Sequence, residues 1–179
     1  LFAKTKSHIE EHNITWYLAI FMVGENHPWA AYVRRKVSYA QKLWLETKIF
    51  SDETTIFDDI TTCNKDDQCL GIIVQLPLPK YLATQKKAIL DAVTPYKDVD
   101  CLWERAIELS LVGNWKIPIA PATPEAVLQI MKHYHLYDTI ADKKIAILGD
   151  GDLVGRALAI LLEKTWAQVQ TFNEFSDQN

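Results

Sequence analysis

Apolar positions recur along the chain in two rhythms. Trp16 to Val23 (WYLAIFMV) is a near-continuous apolar run, which predicts a strand buried on both faces. Gly24, Asn26 and Pro28 break it. From Trp29 to Leu45 the apolar residues Val33, Val37, Ala40 and Trp44 fall three or four apart, so they share one face of a helix. Lys48 to Phe50 predicts a short strand, Thr54 to Cys63 a helix, Gly71 to Val74 (GIIV) a buried strand ending in Gln75, and Leu82 to Val93 another helix. Pro124 to His135 carries helix-start signals: Thr123 as N-cap, Pro124 in the first helical position and Glu125 in the first turn. Lys144 to Leu148 then predicts a strand, Leu153 to Lys164 a helix and Val169 to Phe172 a strand, while Leu1 to Glu11 reads as the tail of a helix.

Strands alternating with helices place the chain in the α/β class with mainly parallel sheets. Polar residues around Ile140 to Lys143 separate the Pro124 helix from a fresh βαβ unit, which sets a domain boundary there: residues 1–139, then 140–179. The chain opens on Leu1, has methionines only at Met22 and Met131, and stops at Asn179 just after a predicted strand, the pattern expected of a piece of something longer.

Composition narrows the function. With 179 residues, 49% of them apolar, the chain can bury a core. Lys plus Arg number 19 against 23 Asp plus Glu, and this mildly acidic balance argues against nucleic acid as a partner. The apolar stretch Ala157 to Leu162 falls far short of the roughly 20 residues a bilayer span needs, and no charged-then-apolar leader opens the chain, so no membrane partner is expected. Cys63, Cys69 and Cys101 form neither an even set nor a CxxC pair; reduced thiols in a cytoplasmic compartment are expected, and no metal site.

Candidate chemistry sits at the strand ends. Gly149-Asp150-Gly151-Asp152-Leu153-Val154-Gly155 lies between a predicted strand and helix. Glycines in that context let backbone amides approach a pyrophosphate at a helix N-terminus, although GxGxxxG spacing also suits a plain tight turn. Glu174, 19 positions beyond Gly155, stands where an acid can accept both ribose hydroxyls of NAD and repel the 2'-phosphate of NADP; alone, it also reads as a solvated carboxylate. Tyr32 and Lys36, four apart, stack on one helix face, and a lysine beside a phenol can serve as acid or base if burial lowers its pKa; such pairs are also common on plain helix surfaces. Gln75 precedes Leu76-Pro77-Leu78-Pro79, where two prolines force the chain out of the sheet and leave a neutral amide at a strand's C-terminal end, the ligand edge of open α/β sheets. Asp98 and Asp100 face the same way if their segment is extended, as a carboxylate pair or as loop caps.

In order, Val23-Gly24-Glu25-Asn26, Tyr32-Val33-Arg34-Arg35-Lys36, Gly71 to Lys80 (GIIVQLPLPK), Lys97-Asp98-Val99-Asp100, Pro121-Ala122-Thr123-Pro124 and Gly149 to Gly155 resemble the bifunctional methylenetetrahydrofolate dehydrogenase/methenyltetrahydrofolate cyclohydrolase family, over about Trp16 to Phe172. The resemblance implies an N-terminal α/β catalytic domain of amino-acid-dehydrogenase type, the start of a Rossmann domain, a cleft between them and a homodimer. It implies oxidation of 5,10-methylene-tetrahydrofolate with NAD(P) and hydrolysis of the methenyl product to 10-formyl-tetrahydrofolate. It makes Lys36 the proton-transfer lysine, Tyr32 the tyrosine packed on the folate, Gln75 the partner that orients the lysine, and Asp100 the aspartate that grips the pterin, with Val74 and Leu76 beside the substrate. Gly149, Asp150, Gly151, Val154, Gly155 and Glu174 would meet the cofactor.

The chain departs from the family's pattern at Cys101, where the family has Gly, and through Glu108; at Ala122, where it has Cys; and at Asp150, where it has the arginine that meets the 2'-phosphate of NADP. The resemblance implies NADP, whereas Asp150 and Glu174 favour NAD, because like charges at short range repel. The family's remaining Rossmann strands are absent from the 179 residues. A non-catalytic protein that kept the folate fold is the alternative, opposed by the joint presence of Lys36, Gln75 and Asp100. A shikimate-dehydrogenase-like enzyme is a third reading, disfavoured by VQLPLPK.

Overall fold

The first apolar run becomes β1 (Tyr17–Phe21), the centre of a three-stranded parallel sheet ordered β2-β1-β3, with β2 at Glu46–Phe50 and β3 at Cys69–Val74. In this computed structural model the described residues are 2–12, 15–24, 30–102, 121–151 and 154–173. Helix α1 (Phe2–Glu11) precedes the sheet; α2 (Ala30–Lys42) makes the crossover from β1 to β2, and α3 (Ile56–Lys65) that from β2 to β3. Alternation along β1 sends Leu18, Ile20 and Met22 to one face, where they pack with Val33 and Val37 of α2, Ile73 of β3 and Val99.

Tyr17, Ala19 and Phe21 take the opposite face. Phe21 stacks on Phe50 with ring centroids 4.7 Å apart. The Tyr17 hydroxyl donates to Asp66 Oδ2 at 2.9 Å, just past the end of α3, and lies 3.9 Å from Cys63 Sγ. Cys63, Cys69 and Cys101 are all buried thiols.

After β3 the chain passes through a 3-10 segment at Lys80–Gln85 and then α4 (Lys86–Ala92), so the helix expected from Leu82 to Val93 is split. It returns along β3, where Ile72 N donates to Lys97 O at 2.6 Å and Ile72 bridges to Asp98 in parallel sense. Gly71 makes this passage possible, since a Cβ there would lie 2.4 Å from Val99 Cγ1. Lys97 Nζ donates to the Cys63 and Asp66 carbonyls at 2.8 and 2.7 Å, closing the C-terminal end of α3 with a positive charge.

Trp44, expected on the apolar face of α2, lies beyond it. The helix stops at Lys42 and Trp44 takes φ +61, with Leu45 N bonded to Ala40 O and Trp44 N to Gln41 O. That is a Schellman stop with a tryptophan in the position glycine usually fills, and it leaves Trp44 exposed.

The chain separates into two units, Leu1–Val99 and Asp100–Asn179. In the second, α5 (Ala122–His133) is followed by β4 (Lys144–Leu148), α6 (Gly155–Glu163) and β5 (Gln168–Phe172), with β4 and β5 parallel and paired from Lys144↔Gln168 to Leu148↔Phe172. Leu128 of α5 is buried in one cluster with Ile140, Ile147, Leu158 and Leu162. Packing therefore groups α5 with the βαβ unit, and the division falls earlier in the chain than the polar stretch at Ile140 to Lys143. The start of α5 also differs from expectation: Pro121, not Thr123, holds the N-cap position, and Glu125 N makes the first helical bond to Pro121 O. Pro124 then sits within the first turn, where its missing N–H costs no helical bond. No helix among the described residues is long and apolar enough to cross a membrane.

The Tyr17 cluster makes stability sensitive to alkali. Burial, first, and the neighbouring Cys69 push the Cys63 thiol from 9.0 up to about 11, and burial with the Asp66 hydrogen bond raises the Tyr17 phenol. Both groups hold their protons longer in the folded chain: the Cys63 contribution is complete below pH 9 and is lost as pH rises through 9 to 11, while that of Tyr17, whose ordinary value is 10.0, begins to fall only above pH 10. Urea unfolding midpoints should fall across that window and fall less steeply in Cys63→Ala; parallel profiles for the two proteins would remove Cys63 from the effect.

Candidate functional site

Two places carry the predicted residues, one in each unit. In the first, the ladders run one residue past the strands: Met22 N donates to Phe50 O and Gln75 N to Phe21 O, both at 2.9 Å. Gly24 then turns with φ +96, and a Cβ on it would lie 2.6 Å from Pro79 Cγ. The turn after β1 and the Leu76-Pro77-Leu78-Pro79 segment, whose Leu76–Pro77 bond is cis, are thus in contact at the C-terminal edge of the sheet. Only a residue without a side chain fits there.

Gln75 stands at that edge. Its place two residues beyond Ile73 puts it on the sheet face that α2 covers, since Ile73 packs with Val33. Its Nε2 donates to Leu76 O at 2.9 Å, while Oε1 is buried without a hydrogen-bond partner among the described residues. Turning the amide over would set two oxygens against each other, so the acceptor is the orphan. A buried acceptor in that condition costs free energy until a donor reaches it.

Helix α2 supplies the stripe beside it. Val33 is buried, fixing the helix's rotation, and Tyr32 and Lys36 lie on the adjoining stripe, Tyr32 exposed and Lys36 half-buried. Arg34 and Arg35 are exposed. Val74 has its side chain buried at 3% exposure, on the face away from Gln75, so only its backbone remains for a ligand; Leu76 is half-buried.

Asp98 and Asp100 do not form an extended pair. Their segment is a series of turns with a single bridge at Asp98, which is buried, while Asp100 is half-buried and opens the second unit. Cys101, next to it, is buried with φ +52. A left-handed backbone there favours glycine, which accounts physically for the family pattern from which this residue departs.

In the second unit, Gly149 N donates to Phe172 O at 2.7 Å and Gly149 turns with φ +107. Gly155, the first residue of α6, presses on the Gly149 carbonyl, to which a Cβ would come within 1.8 Å. Gly151 O accepts from Val154 N and Arg156 N, each at 3.3 Å, and a Cβ on Gly151 would meet nothing within 4 Å. A strand, glycines with open space at the Cβ positions of Gly149 and Gly151, and a helix N-terminus follow one another in the order that suits the pyrophosphate of a dinucleotide. Asp150 Oδ2 accepts from Asn173 Nδ2 at 2.7 Å. Asn173 carries no motif and comes directly after β5, so nothing in the sequence singles it out. Val154 is exposed beside the turn; Glu174 lies outside the described residues.

Comparisons with known proteins bear on each of the two units. Residues 2–100 match the description "Tetrahydrofolate dehydrogenase/cyclohydrolase, catalytic domain" and residues 121–179 its "NAD(P)-binding domain". The chain is 37% identical over 150 residues to the bifunctional protein FolD of Chlamydia trachomatis, covering 81% of this chain and 50% of that protein. It is 31% identical over 161 residues to FolD of Helicobacter pylori, covering 85% and 52%. The crystal structure of the bifunctional enzyme FolD from Campylobacter jejuni superposes with a TM-score of 0.87 at 25% identity, over 99% of this chain and 63% of that one. The chain thus spans about half the length of these sequence relatives.

The contact of Gly155 with a backbone carbonyl leaves no side chain that can yield. Gly155→Ala should destabilise the second unit by about 3 kcal/mol, read as a drop in the urea midpoint; a midpoint equal to that of the parent chain would show that the turn can open at no cost.

Proposed function

The chain belongs to the tetrahydrofolate dehydrogenase/cyclohydrolase family, and from that premise we propose that it serves the NAD(P)-linked oxidation of 5,10-methylene-tetrahydrofolate and the hydrolysis of the methenyl product to 10-formyl-tetrahydrofolate. The observation that carries the reading is the orphan acceptor of Gln75, buried at the C-terminal edge of the sheet on the face that α2 covers.

In this reading Lys36 moves the proton. Hydrolysis adds water to the electron-poor methenyl carbon, so a base must take a proton from that water as the C–O bond forms, and an acid must return one to the nitrogen that leaves. A lysine does both only if it is held in place without being locked in the ammonium form. Gln75 supplies a neutral acceptor that orients it, where a carboxylate would fix the charge. Tyr32 offers a ring face for the folate, Val74 and Leu76 line the approach, and Asp100 accepts from the pterin's N–H groups. In the dehydrogenase step the nicotinamide, when bound, accepts a hydride; Gly149, Gly151, Val154 and Gly155 would cradle its pyrophosphate. Asp150 and Glu174 favour NAD over NADP, since either carboxylate would stand against a 2'-phosphate. Residues 2–100 would form the folate side and residues 121–179 the nucleotide side. The reading also makes the protein a cytoplasmic homodimer whose product feeds purine biosynthesis; three cysteines kept as thiols suit that compartment.

Lys36→Met keeps the length of the side chain and removes the proton carrier. It should lower methenyl hydrolysis by at least about a hundredfold with unchanged circular dichroism, and retained turnover would take Lys36 out of the mechanism. Calorimetric titration should give tighter binding for NAD than for NADP; the reverse order would overturn the assignment of Asp150 and Glu174.

A further inference from the structure

Beyond Asp150 itself, we infer that Asn173 is a positioning residue for dinucleotide selection, holding the Asp150 carboxylate over the ends of β4 and β5; this rests on the NAD reading above. The strands are in register to Leu148↔Phe172, and the bond from Gly149 N to Phe172 O at 2.7 Å extends the ladder by one step. Asp150 and Asn173 therefore leave their strands side by side, at the edge where open α/β folds receive the adenosine ribose. The 2.7 Å bond from Asn173 Nδ2 to Asp150 Oδ2 is in the short range of charge-assisted hydrogen bonds.

The chemistry of the donor matters. Both residues are exposed, so the pair is not needed to satisfy a buried group, and an exposed aspartate on a glycine turn would otherwise sample several rotamers. Asn173 fixes one of them while occupying one carboxylate oxygen, leaving lone pairs on the carboxylate for ribose hydroxyls. A lysine or arginine in its place would hold the carboxylate equally well but cancel the charge that repels a 2'-phosphate. A neutral amide positions without neutralising.

Calorimetry with NAD and NADP on the protein and on Asn173→Ala, Asp150→Asn and the double variant tests this, with thermal unfolding as a check on each. Asn173→Ala should narrow the NAD:NADP affinity ratio by about tenfold at an unchanged melting temperature, and should add nothing to the ratio once Asp150 is Asn, because its effect acts through that carboxylate. If Asn173→Ala melts early, Asn173→Ser, too short to bridge, is read in the same way. A wild-type ratio in these variants, or a further shift in the double variant, overturns the inference alone. A parent protein that binds neither dinucleotide, or prefers NADP, overturns the NAD reading and the inference together, and is seen without any variant.

Discussion

Val33 is buried against Ile20 and Ile73, and much of the first unit's chemistry depends on that contact. It sets the rotation of α2 on the sheet. With Val33 and Val37 turned inward, Tyr32 and Lys36 can lie only on the neighbouring stripe. The same Ile73 is two residues from Gln75, so one packing contact relates the lysine's helix to the amide's strand. The hydrophobic core thereby supplies orientation to groups that are themselves polar and could not have found it through burial of their own.

The strands were the most legible part of the sequence, because WYLAIFMV and GIIV are unbroken apolar runs and buried parallel strands need them. Helix ends were less so. The chain has six glycines, yet two of the described helices stop on other residues: Trp44 after α2, and His135 after α5 with φ +58. Apolar periodicity carried the reading of α2 past its end and enlisted Trp44 in a face it does not join. At the start of α5, Thr123 is a good cap by type, but Pro121 already holds the cap position.

Of the sites, residue types at strand ends were readable and contacts between them were not. Gln75 announced itself through the prolines after it, but its orphan oxygen is a property of packing. Asn173 belongs to no motif, and its bond to Asp150 is a product of strand register. Polarity at Ile140 to Lys143 suggests a division there, whereas Leu128 packs α5 onto the β4-α6-β5 unit. Cys101 stands out from a family pattern in sequence, and only its backbone angle gives the reason.

The return of the chain along β3 has a further effect. By taking the Ile72 amide, Lys97 occupies a hydrogen-bonding place on the outer edge of β3, and Val99 settles over Gly71. That place on the edge is taken from any strand of another molecule. The opposite edge, β2, presents the exposed Glu46, a charge that a stray strand would have to strip of water before pairing. The segment that resembles a folate-gripping motif thus also covers part of the sheet's edge, through its backbone and apart from its carboxylates.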